Sequence, residues 1–152
     1  MIRNTILFFV MGLALLSCSK DNSLISNKMS AKIDGKEWGT ILPVTVLTNN
    51  KFIITGTSIS GAIINIDIDG DTKGTYAVSL SAVQFVATYK ASITATAEDI
   101  YACTSGTVEL TKVDKTAKKI SGTFQFTLKK DLTQETISVT NGTFTDISYN
   151  EQ

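Results

Sequence analysis

The sequence predicts an all-β protein, an antiparallel β-sandwich or flattened barrel of about eight to ten short strands that follows an N-terminal signal peptide. Three observations carry that prediction. Residues that fit a pleated surface are abundant: Ile recurs throughout, and 21 of the 22 Thr lie after Cys18. Apolar and polar residues alternate with period two, as in Ile64, Ile66 and Ile68 against Asn65, Asp67 and Asp69. No stretch sustains a 3.6-residue apolar period over the length of a helix.

A chain of 152 residues is the size of one domain, and 43% hydrophobic residues with 18% charged ones exclude a wholly disordered chain. Fourteen basic residues balance fourteen acidic ones, so nothing in the charge favours a nucleic-acid partner. There is no His, and Arg3 is the only Arg. The usual general base, the commonest zinc ligand and the guanidinium fork are therefore missing from the body of the chain. The composition implies no cofactor and argues against an enzyme.

The elements follow in order. Arg3 and the apolar run Ile6–Leu16 form a signal peptide over residues 1–17; eleven apolar residues are too few to span a bilayer. Leu15-Leu16-Ser17-Cys18 resembles the lipobox of bacterial lipoproteins, which implies cleavage before Cys18 and its acylation. Two or three acyl chains give a stable anchor. Residues 18–27 read as the lipidated Cys and a polar tether. Cys18-Ser19-Lys20-Asp21 is similar to the surface-export signal of Bacteroidetes lipoproteins, with Asn22 where a second acid is usual. The expected location is the outer membrane, on its periplasmic or its exposed face. Cys103 is then the one remaining thiol, expected as a small buried hydrophobe and not a nucleophile.

Residues 28–150 read as the single β domain. Asp34-Gly35 joins two short strands in a hairpin, and Asn49-Asn50 separates the next two. Asp69-Gly70-Asp71 ends the isoleucine strand, and Asp114–Lys118 links the runs Val108–Val113 and Ile120–Leu128. Ala91–Ala102 fits a strand, a long loop or one short helix. Val139 and Phe144 lie an odd number of residues apart, so a bulge at Gly142 is expected to shift the face without ending the strand.

Ala31–Trp38, Gly74-Thr75-Tyr76, Gly106-Thr107-Val108, Ile120–Phe126 and Thr140–Phe144 together resemble a family of small Bacteroidetes lipoproteins of unknown function. The resemblance implies an extracytoplasmic β domain and transfers no catalytic or ligand residue.

Several constellations carry side chains capable of chemistry. Asn65, Asp67, Asp69 and Asp71 place oxygens at alternate positions before a glycine turn, as the start of a calcium loop does. Tyr76 stands where such a loop needs a bidentate Glu, and alternate residues of an extended strand lie roughly 7 Å apart, so the solvated face of a strand is the preferred reading. Asp67, Asp69, Glu98 and Asp99 are the carboxylates from which a glycosidase-like pair would have to come. Trp38, Tyr76, Tyr89, Tyr101 and Tyr149 are the rings available for stacking on a sugar, or for the core. Lys112, Lys115, Lys118, Lys119, Lys129 and Lys130 gather around one predicted hairpin, as a solvated turn or a surface for anionic groups.

The expected function is that of a membrane-anchored, non-catalytic binding or envelope-assembly module. Its partners would be the membrane, through Cys18, and a glycan or an envelope protein. The competing expectations are a carboxylate-dependent enzyme acting on glycans and a purely structural lipoprotein.

Overall fold

The computed structural model describes residues 28–152, so the signal peptide, Cys18 and the tether lie outside the described residues. The chain opens with a hairpin of β1 (Met29–Ile33) and β2 (Lys36–Thr40). Asp34 and Gly35 between them take φ of 47° and 79°, the left-handed pair that a two-residue hairpin turn requires. A second hairpin, β3 (Val44–Thr48) and β4 (Lys51–Thr57), turns on Asn49 and Asn50 at φ 50° and 62°. Next come β5 (Ile63–Ile68), β6 (Gly74–Ser79), the two-residue β7 (Ala82–Val83) and β8 (Phe85–Lys90). Ala91–Ala102 resolves into a loop, a 3-10 turn at Ala97–Asp99 and the start of the next strand. Three long strands follow, β9 (Tyr101–Asp114), β10 (Lys119–Lys130) and β11 (Thr136–Ser148), and β12 (Asn150–Glu151) closes the chain.

Ten strands form one curled sheet, a half-barrel, in the order β12-β3-β4-β5-β8-β9-β10-β11-β1-β2. The half-barrel corresponds to the flattened-barrel alternative. β6 pairs with the lower part of β9, and β7 pairs with β6. All pairings are antiparallel except that of β12 with β3. Because β12 follows β11 directly in sequence but lies beyond β3 in the sheet, the chain itself draws the two flanks together.

Bulges explain why β9 to β11 are longer than the short strands the turn signals suggested. In β11, Asn141 (φ 52°) and Asp146 (φ 45°) are the inserted residues, and the register against β10 shifts at both places. The expected phase change is therefore real, centred on Asn141 beside Gly142. The second bulge returns Ile147 to the interior, and the Asp146 amide donates to the Ser121 hydroxyl at 2.9 Å.

The concave face holds the core. Phe52 and Ile54 of β4, Ile64, Ile66 and Ile68 of β5, and Phe85 and Ala87 of β8 face Leu110 of β9, with Phe124 and Leu128 of β10 beside it, all nearly inaccessible. Three phenylalanines each lie opposite a glycine on the neighbouring strand: Phe126 across from Gly106, Phe124 from Gly142 and Phe144 from Gly122. A Cβ at any of these glycines would overlap the facing phenylalanine, at Gly122 and Gly142 its ring and at Gly106 its Cβ and backbone, so the missing side chains are what lets the strands and rings pack this closely. The rings of Phe124 and Phe126 stack at 5.5 Å, and those of Phe124 and Phe144 at 6.3 Å.

Candidate functional site

The strands end in two rims. The upper rim carries the β1–β2 turn, the turn 58–62 between β4 and β5, the segment 91–100 and the β10–β11 loop. The lower rim carries the β3–β4 turn, the loop after β5 and the β9–β10 turn. Along the twelve residues of β10 the two are separated by about 35 Å.

Three of the five candidate rings converge under the upper rim. Trp38 of β2, Tyr89 of β8 and Tyr101 of β9 line one open cavity of about 350 Å³, with Ile33, Ala62 and Ile137 completing its apolar wall. Asp34, Lys36, Glu37 and Ser60 supply polar groups at its mouth. Each ring is fixed differently. Trp38 is 6% exposed; its indole covers Gly56, where a Cβ would meet it at 2.6 Å, and its Nε1–H donates to the Ala62 carbonyl at 3.2 Å. Tyr89 and Tyr101 lie directly opposite each other across the β8–β9 pairing, with ring centroids 6.1 Å apart. The Lys130 ammonium sits 5.3 Å from the Tyr101 ring centre and 3.2 Å from Asp99 Oδ1.

Electrostatics set these phenols apart. Burial raises the pKa of both Tyr89 and Tyr101 above the ordinary tyrosine value. The Asp34 carboxylate adds to the rise at Tyr89, and Glu135, more than Asp34, adds to it at Tyr101. Both are neutral hydroxyls at physiological pH, able to donate and to accept. Asp34 itself is a positioned group: its Oδ1 accepts from the Ser138 amide at 2.7 Å and the Ser138 hydroxyl at 3.1 Å, tying the hairpin turn to β11.

The other two rings are elsewhere and, like Trp38 and Tyr101, buried, so that Tyr89 is the one half-buried ring of the five. Tyr76 lies against Gly70 and donates its hydroxyl to the Thr72 carbonyl at 2.8 Å, clasping the loop after β5. Tyr149 packs edge-on against Phe52 at 5.1 Å, and its hydroxyl has no hydrogen-bond partner among the described residues.

The carboxylate series is spread along a strand and its turn. Ile64, Ile66 and Ile68 face inward while Asn65 and Asp67 face out. Thr55 donates to Asn65 at 2.6 Å, and Asn65 donates in turn to Asp67 at 2.8 Å. Asp69 pairs with Lys51 at 3.0 Å and Asp71 with Lys115 at 2.7 Å, on different sides of the loop. Among the described residues no group of three or more Asp, Glu, Cys or His gathers to hold a metal. Asp69 belongs to the lower rim, whereas Glu98 and Asp99 sit on the 3-10 turn of the upper rim, where Asp99 accepts from the Thr96 hydroxyl at 2.9 Å. That hydrogen bond first, and Lys130 next, hold the Asp99 pKa below the usual carboxylate range.

The lysine group divides between the rims. Lys112, Lys115, Lys118 and Lys119 lie around the β9–β10 turn, whereas Lys129 and Lys130 end β10 at the opposite rim. The six were adjacent only in sequence: β10 runs the length of the barrel between them. Cys103 is half-buried and donates weakly to the Ser105 carbonyl at 3.5 Å; burial pushes its pKa up to about 11. It is a thiol and not a thiolate at neutral pH.

Sequence reading missed the apolar tips around the cavity: Ile59, Ile93 and Leu132 stand 102%, 71% and 68% exposed on three separate upper-rim loops. The signal was present in Ile59, an isolated large hydrophobe inside the polar stretch Thr57–Gly61.

Fold and site together define a curled, mainly antiparallel β half-barrel domain with an aromatic-lined cavity at one end. The chain belongs to the family defined by a domain of unknown function, DUF6252, whose profile matches residues 26–148. No curated protein and no solved structure matches the chain.

Proposed function

We propose that this protein is a lipid-anchored extracytoplasmic lipoprotein whose β domain is a non-catalytic binding module, with the upper-rim cavity as its ligand site and a glycan as the ligand class. The observation that carries this reading is the convergence of Trp38, Tyr89 and Tyr101 from three strands on one open cavity. A cavity of this size takes a sugar ring or two, and ligand sites are commonly apolar walls with a few placed polar groups. Flat rings cover the apolar faces of a sugar, while the neutral tyrosine hydroxyls, Ser60 and the acids at the mouth suit its hydroxyls. The anchor rests on Cys18 in its lipobox context. The non-catalytic reading is supported by the composition and by the dispersal of Asp67, Asp69, Glu98 and Asp99 over the two rims.

Trp38 is the only tryptophan, and it lines the cavity, so it reports on occupancy directly. Titrating the chain with glycans should change Trp38 emission saturably, and Tyr101→Ala should weaken the response at least tenfold. A panel that leaves the emission unchanged contradicts the assignment. A second reading, an envelope-protein partner on the same rim, is favoured by the exposed tips of Ile59, Ile93 and Leu132.

A further inference from the structure

The upper rim holds single apolar tips on separate turns, but elsewhere the chain exposes a contiguous run. Ile41, Leu42 and Val44 are 39%, 79% and 63% exposed, with Pro43 between them, in the connection from β2 to β3. Such a run on a solvated surface is unfavourable unless something covers it. The loop is held in place: the Leu42 amide donates to the Thr40 hydroxyl at 3.3 Å, and Thr40 is itself buried. Ile41, Leu42 and Pro43 form one wall of a groove whose other wall is Asp146, Ile147 and Ser148, the lower end of β11.

Lys28 lines the same groove. It is the residue through which the chain leaves the domain toward Cys18, with its amide on the Thr40 carbonyl and its carbonyl accepting from Thr145. Lys28 stands ten positions after Cys18, and ten fully extended steps reach no more than about 35 Å. An acylated Cys18 therefore keeps the Ile41–Val44 loop within that distance of the lipid.

We propose that the Ile41–Val44 loop is a membrane-contacting surface, with Leu42 and Val44 seated at the boundary between headgroups and acyl chains of a phospholipid bilayer. The proposal rests on the reading of Cys18 as the lipid anchor. Two of the lysines on this side are matched by acids, Lys112 with Asp146 and Lys118 with Glu151, so the apolar loop carries more of the contact than charge does. One acyl anchor and one apolar loop make two points of attachment, enough to fix how the domain stands on the surface.

The test uses the lipidated full chain in phosphatidylcholine vesicles with or without brominated acyl chains, which quench only tryptophans in contact with them. Leu42 is exposed, so Leu42→Trp leaves the core intact, and buried Trp38 supplies a constant background. The added emission of Leu42→Trp should fall about twofold in brominated vesicles, while the wild-type chain and Ile59→Trp stay unchanged. A chain that floats with the vesicles but shows no quenching of Leu42→Trp overturns the membrane contact and leaves the anchor standing. Quenching of Ile59→Trp instead overturns the orientation. A Leu42→Trp emission already shifted to the blue without vesicles overturns the proposal in favour of a covering segment of the chain or a second copy. A chain that fails to float overturns the anchor, and the proposal with it.

Discussion

Gly142→Ala removes the space on which the phenylalanine stack depends. Gly142 lies outside the left-handed region, since the positive φ of that bulge belongs to Asn141, so alanine meets no backbone strain there. The whole effect is therefore steric: the added Cβ would overlap the Phe124 ring and the Phe124 carbonyl. Phe124 stacks on both Phe126 and Phe144, so the ring cannot yield without disturbing two neighbours. Overpacking of this kind costs typically 1–3 kcal/mol, and the smaller unfolded-state entropy of alanine returns about 0.5 kcal/mol, leaving roughly 1.5 kcal/mol of destabilisation. For a domain of roughly 125 residues the unfolding entropy is about 0.26 kcal/mol/K, so Tm should fall by about 6 °C. The assay is thermal and urea unfolding by circular dichroism, run as a double-mutant cycle with Phe124→Leu. Removing the ring relieves its share of the overlap, though not that with the carbonyl, so the double variant should be about 1 kcal/mol more stable than the sum of the two singles predicts. A Gly142→Ala protein as stable as wild type, or strict additivity in the cycle, would refute the argument that ring and glycine share one space.

Other consequences can be checked in the same preparations. Trp38→Ala should cost about 3–5 kcal/mol, because the indole is buried over Gly56 and holds the Ala62 carbonyl; a loss below 1 kcal/mol by urea unfolding would show that Trp38 is no part of the core. Cys103, with its pKa at about 11, should react with a disulfide reagent at pH 8 roughly a hundredfold more slowly than a free thiol, and ordinary reactivity would contradict its burial. Stability should be flat from about pH 5 to 8, because the chain has no His. Below that window it should fall: Asp99 and Asp146 have lowered pKa values, so the stability they contribute is present above the unfolded carboxylate range and lost as pH drops through their folded values. Above it, Cys103, Tyr89 and Tyr101 are raised, so their contribution is lost as pH climbs past the unfolded thiol and phenol values. A midpoint of unfolding between pH 5 and 8 would contradict this assignment.

The fold was legible because its cues are local. Asp34-Gly35 and Asn49-Asn50 announce left-handed turns, and the alternation in β5 places Ile64, Ile66 and Ile68 inside without any knowledge of their partners. The phase break between Val139 and Phe144 exposed the first bulge of β11 for the same reason. What the sequence hid is set by long-range pairing. Tyr89 and Tyr101 read as two isolated rings until β8 pairs with β9, and Trp38 joins them only because the sheet curls β2 toward β4. Conversely, the lysines from 112 to 130 read as one cluster because sequence distance conceals a strand that crosses the whole barrel. The carboxylates of Asn65–Asp71 could be judged from strand geometry alone, since alternate side chains of an extended segment do not converge.

The central claim is that the cavity under the upper rim binds a ligand through its aromatic wall, and thermal unfolding against a glycan panel tests it most directly. A glycan held at a hundred times its Kd should stabilise the domain by about 2.7 kcal/mol, a rise in Tm of about 10 °C. Tyr89→Ala should remove that rise while the variant still unfolds cooperatively. A rise that persists undiminished in Tyr89→Ala, or no rise with any glycan, would contradict the account.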